Sequence, residues 1–187
     1  MRKLKLQMHI SLDGFVAGPN GEEDWIVRGA DPTSFELVNE LADTSDTLLI
    51  GRIMAEKFIP HFEEMGPEHP IYAFAQKMVN LRKILFSNTL KEPFGKNVSL
   101  ATEDLNTTVT NLKNRAGKDI LVYGGAQMVS SLIAGGHIDE FYLFVNPILI
   151  NKGMRIFDLL NHRQKLKLIS TKAYIGGTTL LHYELEK

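Results

Sequence analysis

The chain has no cysteine. Disulfides, thiolate nucleophiles and cysteine-ligated zinc or iron–sulfur centres are therefore excluded. Charge of one sign is also lacking: 21 Lys and Arg face 22 Asp and Glu, for a formal net charge of −1. Nucleic-acid partners call for a concentrated basic face, so none is expected. No apolar run approaches the ~20 residues of a membrane span. The N-terminus, charged at Arg2, Lys3 and Lys5, lacks the apolar stretch of a signal peptide. The expectation is a cytoplasmic protein with no membrane partner. The six histidines, His9, His61, His69, His137, His162 and His182, show no close ligand spacing, so no metal is expected. There is no Gly-x-Ser-x-Gly elbow, and Gly18-Pro-Asn-Gly21 lacks the Lys-Ser/Thr of a phosphate-binding P-loop.

What is present fits one domain over residues 1–187, with 44% hydrophobic and 23% charged residues. Leu4 to Ile10 alternates apolar and polar residues and reads as a strand, closed by a Ser11-Leu-Asp-Gly14 turn. Phe15 to Trp25 is a surface loop. Asp31 as N-cap and Pro32 at the first helical position open a helix to Leu41. Thr47 to Ile50 is a buried strand ending at Gly51. A short helix from Ile53 to Phe58 is stopped by Pro60, and His61 to Pro70 is irregular. Ile71 to Val79 reads as a helix, Lys83 to Phe86 and Val98 to Ala101 as strands, and Glu103 to Arg115 as a helix. Ile120 to Tyr123 is a strand, Ala126 to Ala134 a helix and Glu140 to Val145 a strand. Leu166 to Tyr174 and Thr178 to Leu185 flank Ile175-Gly-Gly177 as an antiparallel hairpin. This order predicts an α/β fold whose mostly parallel sheet has an antiparallel edge.

The chemistry gathers at strand ends, where open α/β sheets form their binding crevice. Ile120 to Tyr123 stops at Gly124-Gly125, and a helix begins at once. Two glycines there leave backbone N–H groups bare for a phosphate at a helix N-terminus. Gly51-Arg52 repeats the arrangement, with a planar guanidinium suited to phosphate and free helical N–H groups at Ile53 and Met54. Ser87 supplies a hydroxyl at a third strand end. Asp13 would place a carboxylate at the end of the first strand, facing the crevice, and the single tryptophan, Trp25, would flank a planar substrate.

Five segments then stand together in order: 8–18, 46–52, 83–90, 120–127 and 136–148. They read MHISLDGFVAG, DTLLIGR, KILFSNTL, ILVYGGAQ and GHIDEFYLFVNPI. This combination resembles the dihydrofolate reductase-like superfamily, in the branch that shares the reductase domain of bacterial riboflavin biosynthesis. The resemblance implies a three-layer αβα fold, a mostly parallel mixed sheet with a C-terminal antiparallel hairpin. It implies NADPH as cofactor and a homodimer. By position, Gly51, Arg52, Ile53 and Ser87 would serve the adenosine 2′-phosphate side. Gly124, Gly125, Ala126 and Gln127 would hold the pyrophosphate, with a cis peptide between Gly124 and Gly125. Val16 and Ala17, in the loop from Asp13, would lie near the nicotinamide and substrate. Asp13 would be the proton donor or substrate anchor, alongside Trp25.

Two departures from the family pattern qualify the substrate. Met54 stands where many relatives carry Thr, which implies a weaker preference for NADPH over NADH. Glu56, Glu63 and Glu64 stand where riboflavin reductases hold a phosphoribosyl group with basic residues, and only Glu36 or Glu40 could replace the helical acid of dihydrofolate reductases. The leading reading is an NADPH-dependent reductase of a small heterocyclic or carbonyl-type substrate. The alternatives are a nucleotide-binding or regulatory protein without chemistry, and a riboflavin-pathway 5-amino-6-(5-phosphoribosylamino)uracil reductase.

Overall fold

A computed structural model describes residues 1–27 and 31–186. Eight strands form one sheet in the order β4-β3-β2-β5-β1-β6-β8-β7. They are β1 (Leu4–Ser11), β2 (Ser45–Gly51), β3 (Arg82–Phe86), β4 (Val98–Leu100), β5 (Asp119–Val122), β6 (Glu140–Asn146), β7 (Leu166–Ala173) and β8 (Thr179–Leu185). The first six pair in parallel, and β8 and β7 add an antiparallel edge. The expected sheet and C-terminal hairpin are therefore present.

Strand alternation divides the core into two layers of side chains. Leu48 and Ile50 of β2 face one side, where α1 (Pro32–Asp43), α2 (Arg52–Glu63) and α3 (Tyr72–Asn80) bury Leu41, Phe58, Phe62 and Met78. Leu49 faces the other, against Val109, Leu112, Val129 and Leu132 of α4 (Leu105–Asn114) and α5 (Ala126–Ala134). That is the three-layer arrangement. Among the described residues no helix is long and apolar enough to cross a membrane.

One boundary differs from expectation. α2 does not stop at Phe58 but runs through Pro60 to Glu63, so His61 to Glu63 are helical. Proline removes one intrahelical hydrogen bond. Phe58, Ile59 and Phe62, all nearly inaccessible, bury enough apolar surface to hold the helix together across that gap.

β1 is unusual within this core. Its Leu4, Leu6, Met8 and Ile10 all join the α4/α5 layer. The alternate residues Lys5, Gln7 and His9 face the other layer and are polar. Opposite α1, the sheet thus presents hydrogen-bonding groups where an apolar core would otherwise continue.

Candidate active site

β2 and β5 are neighbours, and each delivers its last residues to a helix start. Gly51 is the N-cap of α2 and Gly125 the N-cap of α5, and neither offers a side-chain acceptor to the first turn. α1 and α4 use the usual solution. Asp31 accepts from Thr33 N at 2.9 Å to cap α1, and Asp104 accepts from Thr107 N at 3.0 Å to cap α4. The two glycine-capped starts lie side by side. A Cβ on Gly125 would stand 3.5 Å from Gly51 Cα and 3.6 Å from Gly51 N. Two adjacent helix N-termini with orphan N–H groups and additive partial positive charge suit an extended, doubly anionic group such as a pyrophosphate.

Gly124 and Gly125 have φ of +96° and +90°. The expected cis bond between them is not found, because all peptide bonds among the described residues are trans. Two consecutive positive-φ residues turn the chain from β5 into α5 without it, and only glycine adopts them cheaply. Met54, in the first turn of α2, lies over Gly124, with its Cε 3.0 Å from where a Cβ would sit.

The expected rim residues divide between free and engaged. Ile53 is 63% exposed, Gln127 is exposed and Ala126 is half-buried at the start of α5. Arg52 Nη1 donates to Glu56 Oε1 at 2.8 Å. Ser87 Oγ accepts from Thr89 N and Leu90 N at 3.1 and 3.0 Å, so it closes its own turn. Val16 and Ala17 are buried and pair by backbone with Met154, Val16 N donating to its carbonyl at 2.9 Å. A Cβ on Gly153 would run into the Ala17 carbonyl, which explains the glycine there. Trp25 is half-buried and donates from Nε1 to the Glu22 carbonyl at 3.2 Å.

Asp13 has a different task from the one expected. Its carboxylate accepts from Ser11 Oγ (2.7 Å), Ile150 N (3.1 Å) and Asn151 N (2.8 Å). The Ser11 hydroxyl, then the two backbone N–H groups, hold its pKa below the ordinary aspartate value. An ionised, fully engaged carboxylate works against service as a proton donor. It clasps the β1 turn to the backbone at Ile150 and Asn151. Because the folded pKa is depressed, this clasp is complete above the unfolded value of about 4 and is lost as pH falls through the lower folded value. Protection of the Ile150 and Asn151 amides from hydrogen exchange should therefore fall on acidification below pH ~4. In Asp13→Asn it should be low and independent of pH there.

A further feature of the fold was not predicted. Between α1 and the β1–β6–β8 part of the sheet lies a crevice of about 10 Å³, room for one water, lined by His9, Asp31, Ser34, Phe144, Tyr174 and Thr178. His9 stacks on Phe144 (4.9 Å, 24°) and Phe144 on Tyr174 (5.9 Å, 21°), making a wall of parallel rings. Asn146, fully buried, donates from Nδ2 to the Phe144 carbonyl and faces His9 Nδ1 at 3.3 Å. Its Oδ1 accepts from Val27 N at 3.0 Å, tying the loop after Trp25 to β6. Asp31 accepts from Ile175 N at 3.0 Å as well as from Thr33, and these bonds, that from Ile175 foremost, hold its pKa down. Burial, foremost, pushes the Tyr174 phenol up, so it stays a neutral donor. The signal for this crevice lay in β1 itself, where Lys5, Gln7 and His9 make the face opposite Leu4, Leu6, Met8 and Ile10 polar.

Comparison with known proteins fits this geometry. Residues 2–180 match the RibD C-terminal domain family. The chain belongs to that family. It is 29% identical over 185 residues to the uncharacterized protein YyaP of Bacillus subtilis (strain 168), spanning 97% of this chain and 94% of YyaP. Among solved structures, it superposes on a putative riboflavin biosynthesis protein from Shewanella sp. PV-4 with a TM-score of 0.76, 22% identity and full coverage of both chains. A dihydrofolate reductase from Enterococcus faecalis, complexed with NADP(H), gives a TM-score of 0.66 at 14% identity, over 99% of this chain and 97% of that one. This RibD C-terminal domain thus has a dihydrofolate reductase-like fold.

Proposed function

We propose that this RibD C-terminal domain is an NADPH-dependent reductase that transfers a hydride to a small, planar heterocyclic or carbonyl-type substrate. The observation that carries this reading is the junction of two glycine-capped helix starts at the ends of β2 and β5. The bound nicotinamide nucleotide supplies the hydride. The chain supplies the rest: N–H groups of α2 and α5 for the pyrophosphate, and Arg52 for a further phosphate. Asp13 and Asp31 are both held ionised, so the proton that completes the reduction reaches the substrate from water. A homodimer belongs to this reading by family analogy.

A second reading, nucleotide binding without turnover, gains support from the same two engaged carboxylates, since neither is free to act as an acid. One experiment separates the two. Arg52→Ala should weaken NADPH binding by about 1.5–3 kcal/mol and leave NADH nearly unchanged. Wild-type protein should oxidise NADPH with at least one pterin, pyrimidine or carbonyl compound. Tight NADPH binding with no oxidation across that panel selects the second reading. Equal losses of NADPH and NADH in Arg52→Ala remove the phosphate role of Arg52.

A further inference from the structure

We infer that Glu56 sets how strongly the site prefers a nucleotide with an extra phosphomonoester on its adenosine ribose over one without. This inference rests on the reductase reading above. Arg52 is the first residue of α2, and the first turn carries no acidic residue. A cation there is opposed by the helix dipole and gains little from its own helix. Glu56, one turn on, supplies the missing anion: Arg52 Nη1 lies 2.8 Å from its Oε1, and both side chains are partly open to solvent, at 38% and 46%. The next cation along α2, Lys57, points elsewhere. Its Nζ reaches the Gly21 turn, where its charge helps keep Glu22 ionised. Arg52 and Glu56 therefore form a self-contained pair at the lip of the glycine junction.

A phosphomonoester carries nearly two negative charges at neutral pH, while Glu56 carries one. It displaces Glu56 from the guanidinium and leaves that carboxylate beside a like charge. A nucleotide with a free ribose diol has the opposite effect. It leaves the ion pair intact and can donate a hydroxyl hydrogen to the remaining Glu56 oxygen. The carboxylate thus works against the phosphorylated cofactor and for the unphosphorylated one. Because the pair is exposed, each effect is modest.

The test is calorimetric titration of NADPH and NADH into wild type, Glu56→Gln, Arg52→Gln and the double variant, with thermal melts to check folding. Glu56→Gln should bind NADPH about fivefold more tightly and NADH about twofold more weakly, the range expected for an exposed charge pair. In the Arg52→Gln background the same change should give a smaller NADPH gain, because only the like-charge repulsion is left to relieve. Glu56→Ala should repeat the NADPH gain and the NADH loss. Weaker NADPH binding in Glu56→Gln, or equal shifts for both nucleotides, overturns the inference and leaves the reductase reading standing. A wild-type protein that binds neither nucleotide removes the reductase reading, and this inference with it.

Discussion

Lys83→Met should destabilise the protein by about 1–3 kcal/mol, the range for backbone acceptors that lose a donor. Lys83 is 1% exposed, the second residue of β3, opposite Leu48 of β2. Its ammonium donates to three carbonyls: Val79 at 2.8 Å, Leu81 at 3.0 Å and Lys96 at 3.1 Å. Val79 and Leu81 close the C-terminal end of α3, so the lysine caps that helix from inside the core. Burial pushes its pKa down to about 8, with the Glu63 charge working the other way, so it is charged at neutral pH. Methionine fills the space but takes the ammonium from three carbonyls, of which only Val79 is buried and keeps Asn97 Nδ2 as a donor at 3.2 Å. For a chain of this length the melting temperature should fall by roughly 2–12 °C. A shift equivalent to less than ~1 kcal/mol would show that water replaces the ammonium and that the cap contributes little.

The second large effect is on binding. Gly125→Ala should lower NADPH affinity about 100-fold, close to 2.7 kcal/mol, through the loss of charge-assisted backbone hydrogen bonds. Two causes act together. A φ of +90° is strained for alanine, at about 1–2 kcal/mol, so the turn into α5 shifts. The added methyl also lies against Gly51, in the groove between the two helix starts. The strain is small enough for the protein to fold, and a melt within a few degrees of wild type should accompany the lost binding. A variant that binds NADPH normally would place the nucleotide somewhere other than this junction.

How much of this was legible in the sequence depended on how local the physics is. α5 was read to the residue, Ala126–Ala134, because glycines punctuate both ends. α1 was located because Asp31 and Pro32 are local start signals, and Asp31 does cap the helix. α2 was cut short because Pro60 is also a local signal, whereas the burial of Phe58 and Phe62 that overrides it is tertiary. The glycine junction was visible only as two separate motifs. That Gly51 and Gly125 touch depends on β2 pairing with β5, and the two glycines stand 74 residues apart, which no window of sequence contains. The partners of Asp13, Ile150 and Asn151, lie more than 130 residues further along the chain, so the sequence shows its carboxylate at a strand end and not the bonds that hold it. The ring-lined crevice escaped for the same reason: His9, Phe144 and Tyr174 meet only when β1, β6 and the β7–β8 turn come together.

The central claim is that the junction of Gly51 and Gly125 binds a reduced nicotinamide dinucleotide through two helix starts. Calorimetric titration of the wild-type chain with NADPH and then NADH tests it most directly. Micromolar NADPH binding, about −8 kcal/mol, with weaker NADH binding is the expected result. If neither reduced nucleotide binds, the junction is an architectural feature of the fold, and the reductase reading falls.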